Sequence, residues 1–294
     1  MTAPNHTNRS IDEPLLIFDS PLSMSKWSRQ CARQSRSIAL VPTMGALHDG
    51  HLALVAEARV RADLVVVSIF VNPLQFNSRA DFELYPRPVD SDLQRCRDAG
   101  VDAVYAPTAA AMYPPAFDTR VEPGALALPL EGAHRPGHFV GVATVVAKLL
   151  LAVRPDVAVF GRKDYQQLAV ISRMAVDLDM DVEIIGLATV REPDGLALSS
   201  RNRRLTVAQR SAALVVPRAL DAIEGGCRQG IRATAALQEL AIRTVAAEPL
   251  ATLEHVEIVD PETLAALDFL VESSLVVIAI WIGDVRLIDN RLLA

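Results

Sequence analysis

The chain has 294 residues, 51% of them hydrophobic, enough to bury one large core or two modest ones. Its formal net charge of -6 and pI near 5.6 give no general attraction toward a phosphate backbone or an anionic membrane. Nucleic acid and membranes are therefore not expected as partners, and any anion site has to be local. Cys31, Cys96 and Cys227 are too scattered for a zinc site and too few for a disulfide framework, so reduced thiols and a cytoplasmic protein are expected.

The first 14 residues, MTAPNHTNRSIDEP, lack the apolar core of a signal peptide and read as a disordered tail. A βαβ unit is then predicted from SIALVPTM (37–44), HLALVAEARVRA (51–62) and DLVVVSIFV (63–71). The alternation continues with helix-like 92–100, a strand in VDAVYAP, a helix over 140–153, a strand over 156–161, a helix over 165–180 and a strand over 182–190 that leaves the layer system. This pattern predicts a doubly wound α/β fold, a parallel sheet covered by helices on both faces. Beyond it the texture changes. Two helices near 206–224 and 232–247, followed by HVEIVD, LVVIAIWI and VRLID, predict a smaller α+β domain with antiparallel strands. The expected division is a tail over 1–14, a first domain over 15–189 and a second over 190–294. The longest apolar runs, such as LVVIAIWIG at 275–283, are too short to span a bilayer.

The sharpest local signal is Pro42-Thr43-Met44-Gly45-Ala46-Leu47-His48-Asp49-Gly50-His51, where a predicted strand ends and a helix starts. Ligands bind there in open α/β sheets. Glycines allow close backbone approach, amides at a helix start attract phosphate, and histidines three apart project from one face. By residue type alone the pair could equally bind a metal or cap the helix. The first strand is followed by no GxGxxG, which disfavours a dinucleotide-binding dehydrogenase.

The ten-residue run resembles the signature of the pantothenate synthetases, a branch of the HxGH nucleotidyltransferase superfamily. Six further segments follow in order: Phe70-Val71-Asn72-Pro73-Leu74-Gln75-Phe76, Tyr85-Pro86-Arg87, Arg135-Pro136-Gly137-His138-Phe139, Lys163-Asp164-Tyr165-Gln166-Gln167-Leu168, Ser199-Ser200-Arg201-Asn202 and Arg286-Leu287-Ile288-Asp289-Asn290. The resemblance implies a Rossmann-like first domain with a small C-terminal lid, and a homodimer formed through the N-terminal domain. It implies Mg2+ and ATP as cosubstrate, and activation of pantoate as an acyl adenylate that reacts with β-alanine. It places ATP along Met44, Gly45, Ala46, Leu47, His48, Asp49, Gly50 and His51, and along Gly161, the backbone of Arg162, Lys163, Asp164, Val190, Leu198, Ser199, Ser200 and Arg201.

Pantoate falls to Gln75 and Gln167, whose neutral amides match a carboxylate and two hydroxyls without trapping an ion pair. β-Alanine falls to Gln75. His51, with His48, Lys163, Ser199, Ser200 and Arg201, carries the catalytic expectation: stabilising phosphate charge, with His51 as acid to the leaving group. Asp92, with Asp90 near it, resembles an acidic residue beside the magnesium ion, or is a helix cap. Tyr85 and Arg135 are expected at the entrance. The sequence departs from the family's pattern at Arg162, Leu198 and Val285, and in Glu254-His255, where Asp-Tyr is expected. Two other readings remain open: a nucleotidyltransferase that stops at nucleotide transfer, and a catalytically dead nucleotide-binding regulator on the same scaffold.

Overall fold

The valine- and isoleucine-rich runs of the first half become the strands of one sheet in the computed structural model, which describes residues 14–293. The expectation of a disordered tail over 1–14 lies outside those residues except for Pro14. Contacts divide the chain into two compact units. The first runs to Gly124 and takes in Arg135–Gly161 and Val170–Leu187. The second takes Ala125–His134, Arg162–Ala169 and the chain from Ala188 onward. A single crossing near 189 therefore omits two earlier segments that pack with the second unit.

The first unit carries β1 (Leu16–Phe18), β2 (Ile38–Thr43), β3 (Leu64–Ile69), β4 (Ala103–Tyr105), β5 (Val157–Gly161) and β6 (Glu183–Leu187). All neighbours are parallel, in the order β1-β4-β3-β2-β5-β6. Parallel strands need crossovers, and helices supply them: Asp49–Arg61 after β2, Val89–Asp98 after β3, His138–Val153 before β5. Burial on both faces explains why β2 and β3 read as continuous apolar runs. Val41, Val65, Val67 and Val159 pack with Leu54, Val55 and Ala58 of the Asp49–Arg61 helix. The strand order reverses between β2 and β5, which puts the topological switch point at their carboxyl ends.

Three local expectations change. β1 and the Pro21–Arg33 helix, which buries Met24, Ser28 and Cys31 on one face, come before the strand that reads as the first. β6 does not leave the layer but pairs with β5 over five residues as the sheet edge. The helix expected over 206–224 divides into Val207–Ala212 and Val215–Arg228.

In the second unit, β7 (Ala251–Val259), β8 (Ser274–Ile282) and β9 (Val285–Leu293) form an antiparallel sheet in that order. Gly283-Asp284 is a two-residue hairpin loop whose positive φ of 59° at Gly283 suits glycine. Leu220 and Ile223 of the Val215–Arg228 helix and Leu237 and Ala241 of the Thr234–Ala246 helix pack on Val256, Ile258, Val276, Ile278 and Ile280. No helix among the described residues is long and apolar enough to cross a membrane.

Candidate active site

The loop between β2 and the Asp49–Arg61 helix is built around one buried carboxylate. Gly45 and Ala46 both take positive φ, 79° and 51°, and a side chain on Gly45 would bring its Cβ within 2.9 Å of Asp92 Oδ2. Asp92, 1% exposed, accepts the amides of Ala46 and Leu47 at 2.8 Å each, one on each oxygen. Thr43 Oγ1 accepts the Gly45 amide at 3.0 Å and donates to the Ser68 carbonyl at 2.7 Å, tying the loop to β3.

Asp92 holds the loop with one amide on each oxygen, and each oxygen keeps a further lone pair. The amides of Ala46 and Leu47 are spent on that carboxylate. The donors left for an anion are those of Asp49 and Gly50, at the first two helical positions, where no intrahelical acceptor exists.

His48 caps the helix in extended conformation, and its amide donates to His51 Nδ1 at 3.3 Å. A nitrogen that accepts carries no proton, so the neutral His51 ring keeps its proton on Nε2. The two rings lie 4.0 Å apart between centroids, tilted by 37°. His51 is thereby set to offer Nε2–H as a donor.

Gln75 ends a 3-10 turn, Pro73–Gln75, that follows β3. Its side chain is oriented from both ends. Oε1 accepts from Asn72 Nδ2 at 3.0 Å, and Nε2 lies 3.2 Å from Met44 Sδ. Asn72, 1% exposed, also donates to the Gly141 carbonyl at 3.1 Å, and its Oδ1 accepts from Leu74 N at 3.2 Å and Tyr113 OH at 2.8 Å. Burial pushes the Tyr113 phenol up, so it remains a donor. The Gln75 carbonyl accepts from His138 Nδ1 at 2.8 Å and from Arg135 at 3.2 Å.

The structure therefore brings Gln75 and Met44 together. Arg135, expected to offer its charge to a ligand at an entrance, supports the Gln75 backbone. Tyr85, expected beside it, is 8% exposed and packs edge-on against Phe76, with ring centroids 5.8 Å apart. Asn72, Tyr113, His138 and Gly141 were given no role by the sequence. Asn72, His138 and Gly141 stand in or beside motif segments, whereas nothing in the sequence marks Tyr113.

In the second unit, Lys163 and Asp164 lie on the 3-10 turn Arg162–Asp164, directly after Gly161 at the end of β5. Asn290 of β9 donates to the carbonyls of Arg162 and Lys163 at 2.9 and 2.8 Å, fixing that turn. Val190 and Leu198 are brought together: residues 190–198 fold back on themselves, with Leu198 N donating to the Val190 carbonyl at 3.0 Å and an antiparallel bridge between Arg191 and Ala197. Arg191 forms two bonds to Asp289, at 2.6 and 3.0 Å. The Asp289 hydrogen bond raises the Arg191 pKa against the lowering effect of burial.

Ser199 caps the 3-10 turn Ser200–Arg204, its Oγ accepting from Arg201 N at 3.2 Å. Gln167 is half-buried in the first turn of the Tyr165–Asp177 helix. Its neighbour Gln166 is buried and committed to Leu126 O, Pro129 O and Glu131 N.

A doubly wound parallel sheet with a His-x-Gly-His turn at its switch point defines a nucleotide-handling α/β enzyme of the HxGH kind. Comparison with known proteins identifies the branch. A family model described as pantoate-beta-alanine ligase matches residues 16–292. A pantothenate synthetase of Geobacter sulfurreducens is 49% identical over 277 residues, covering 94% of this chain and 98% of that relative. One of Geotalea daltonii is 51% identical over 265 residues, covering 90% and 94%. Among solved structures, the pantothenate synthetase of Thermus thermophilus has a TM-score of 0.89 at 44% identity, covering 94% of this chain and 99% of that one. The pantoate-beta-alanine ligase of Francisella tularensis, complexed with beta-gamma ATP and β-alanine, has a TM-score of 0.80 at 34% identity, covering 95% and 98%. The chain belongs to the pantoate–β-alanine ligase family, and it is a ligase.

Proposed function

We propose that the chain joins (R)-pantoate to β-alanine in two steps, with ATP as cosubstrate, forming pantothenate and releasing pyrophosphate and AMP. A carboxylate resists attack by an amine because its leaving group would be oxide; adenylation replaces that with AMP. The pantoate carboxylate attacks the α-phosphorus of ATP, and pyrophosphate leaves. The β-alanine amine then attacks the mixed anhydride and expels AMP. Positioning and charge stabilisation carry most of the rate, since the protein makes no covalent bond.

Gln75 is assigned to pantoate and β-alanine, and Gln167 to pantoate. His48, Lys163, Ser199, Ser200 and Arg201 are assigned to the phosphates, with His51 donating to the departing pyrophosphate. Asp164 and Val190 take the ribose and adenine. Met44, Gly45, Ala46, Leu47, Asp49, Gly50, Gly161, Arg162 and Leu198 line the nucleotide, with Ala46 and Leu47 acting through the loop's shape and not through their amides. Mg2+ enters with the nucleotide. Asp92 is the acidic residue assigned beside it, its oxygens each keeping a lone pair besides the amide they accept, and no step is routed through an ion there. On the same reading the working form is a cytoplasmic homodimer, joined through its N-terminal domain.

The observation that carries the reading is the bond from the His48 amide to His51 Nδ1, which leaves a proton on Nε2 at the helix start where an anion is favoured. The test is a single-turnover reaction with ATP, Mg2+ and pantoate but no β-alanine. Enzyme-bound pantoyl adenylate and pyrophosphate are expected, with pantothenate and AMP following on addition of β-alanine. Release of ADP and phosphate would replace the scheme with an acyl-phosphate one.

A further inference from the structure

We propose that His134, Glu254 and His255 form a site for one transition-metal ion of the Zn2+ class, separate from the residues assigned to the ligase reaction. All three belong to the second unit. Consecutive strand residues normally face opposite sides, but β7 slips its register against β8 between Leu253 and His255. A bulge of this kind re-aims a side chain. The result is that His255 Nδ1 stands 3.5 Å from Glu254 Oε2. Two ligand atoms on a tetrahedral Zn2+ with bonds of about 2.0–2.1 Å are separated by roughly 3.3 Å, so the pair is already spaced as one edge of such a site.

The His255 side chain is 9% exposed, and its buried Nδ1 has no hydrogen-bond partner among the described residues. Buried ring nitrogens are normally satisfied, and one facing a carboxylate at a ligand-edge distance is the nitrogen a cation would use. His134 supplies the third ligand. Its ring stacks on His255 with centroids 4.8 Å apart and planes 11° from parallel, and one ligand atom from each of the three residues lies within 4.8 Å of the others. Imidazole lone pairs lie in the ring plane, so two nearly parallel rings do not converge on one ion. His134 is exposed, so closing the site requires only that its ring leave the stack and turn toward Glu254 and His255. Water completes a four-coordinate shell.

Charge favours a cation at this position. Arg286 bridges Glu131 and Glu254, so one guanidinium faces two carboxylates, and with both imidazoles neutral the cluster keeps one net negative charge. Trp281 Nε1 donates to Glu254 Oε1 at 2.9 Å and Arg286 donates to both oxygens, so the carboxylate is held in place as by outer partners at metal sites, and the ion would share Oε2 with the guanidinium. Two imidazoles and one carboxylate suit Zn2+, Co2+ or Ni2+, whereas Mg2+ prefers oxygen alone. A bound ion would tie the 125–134 segment to β7. It would stabilise the second unit by mass action, since the unfolded chain offers no preformed site.

The full chain, stripped of metal, is titrated with Co2+ while its visible d–d absorption is followed, and with Zn2+ by calorimetry in excess Mg2+. One ion per chain is expected, with Zn2+ raising Tm. Affinity should fall by about tenfold or more in His255→Tyr and in His134→Ala, the least expected when a metal ligand is removed. It should be unchanged in a His48→Gln, His51→Gln double variant. Glu254→Gln, which keeps the side chain's shape, gives a second route to the same loss if His255→Tyr fails to fold. Absence of binding, binding that follows His48 and His51, or binding indifferent to His134 and His255 each overturns the proposal.

Discussion

Gly141 separates packing from catalysis in a way a single substitution can measure. It lies in the first turn of the His138–Val153 helix, against the turn that carries Gln75. A Cβ added there would meet Leu74 O at 2.3 Å, Leu74 C at 2.5 Å and Gln75 N at 2.8 Å. Ordinary contact between such atoms is about 3.5 Å, so in Gly141→Ala the turn must retreat by roughly 1 Å. Two terms oppose each other in stability: the gain in helix propensity is about 1 kcal/mol, and overpacking costs about 1–3 kcal/mol. The net loss is then about 0–2 kcal/mol, and the protein stays folded.

Function has no such compensation. A displacement of about 1 Å at a substrate-positioning group costs on the order of 10²-fold in rate, and it falls on kcat/KM for pantoate while ATP affinity holds. Urea unfolding and steady-state kinetics with pantoate varied measure the two quantities. Gly225→Ala is the control: the same change in the Val215–Arg228 helix, where a Cβ meets nothing within 4 Å, should stabilise by up to about 1 kcal/mol and leave kinetics alone. A folded Gly141→Ala protein with wild-type kcat/KM for pantoate would refute the positioning argument.

Three other outcomes are expected. His51→Ala should slow adenylate formation by about 10²–10³-fold, the range for losing one preorganised hydrogen-bond donor to developing charge, with circular dichroism unchanged; a wild-type rate in a quenched single turnover would reduce the residue to a helix cap. Asp92→Ala strands two buried amides at about 1–3 kcal/mol each, so urea unfolding should show a loss of about 2–6 kcal/mol together with weakened ATP binding, and unchanged stability would mean that water replaces the carboxylate. The thiols of Cys31, Cys96 and Cys227 are all pushed up by burial, Cys96 to about 12. They should therefore resist a disulfide reagent at pH 8 in the native protein and react in denaturant; rapid labelling of the folded chain would contradict this.

Much of the architecture was legible because a parallel sheet buries both faces of its strands. IALVPT, LVVVSI and VAVFG are apolar almost throughout. What escaped were elements outside the strand–helix alternation. The Pro21–Arg33 helix has helical spacing in its buried Met24, Ser28 and Cys31, a start marked by Ser20 Oγ accepting from Ser23 N, and Pro21 at its first position. The 125–134 and 162–169 segments join the second unit through long-range bonds such as Arg286 to Glu131 and Asn290 to the Arg162 and Lys163 carbonyls, which sequence spacing cannot register. At the site, motif position picked out Gln75 but not the neighbours that aim its amide. The grip of Asp92 on the loop was hidden for the same reason. An acidic residue in a helix's first turn looks like a cap or a metal ligand until the loop it grips, forty-five residues earlier for Leu47, is folded against it.

The last motif segment shows how donor chemistry fixes residue order where motif matching gives only names. Asp289 and Asn290 are consecutive on β9, so they serve opposite faces of the strand. One face meets a guanidinium, the other two carbonyl oxygens. A carboxylate takes Arg191 with both oxygens, which an amide cannot do, and the Asp289 side chain is fully buried in that pair. The primary amide offers two N–H donors from one nitrogen to the carbonyls of Arg162 and Lys163; a carboxylate there would face oxygen with oxygen. Reversing the pair would leave Arg191 with half its partner and set a buried charge against two acceptors. One strand thereby fixes, by unlike chemistries on its two sides, both the turn that carries Lys163 and the fold-back that joins Val190 to Leu198.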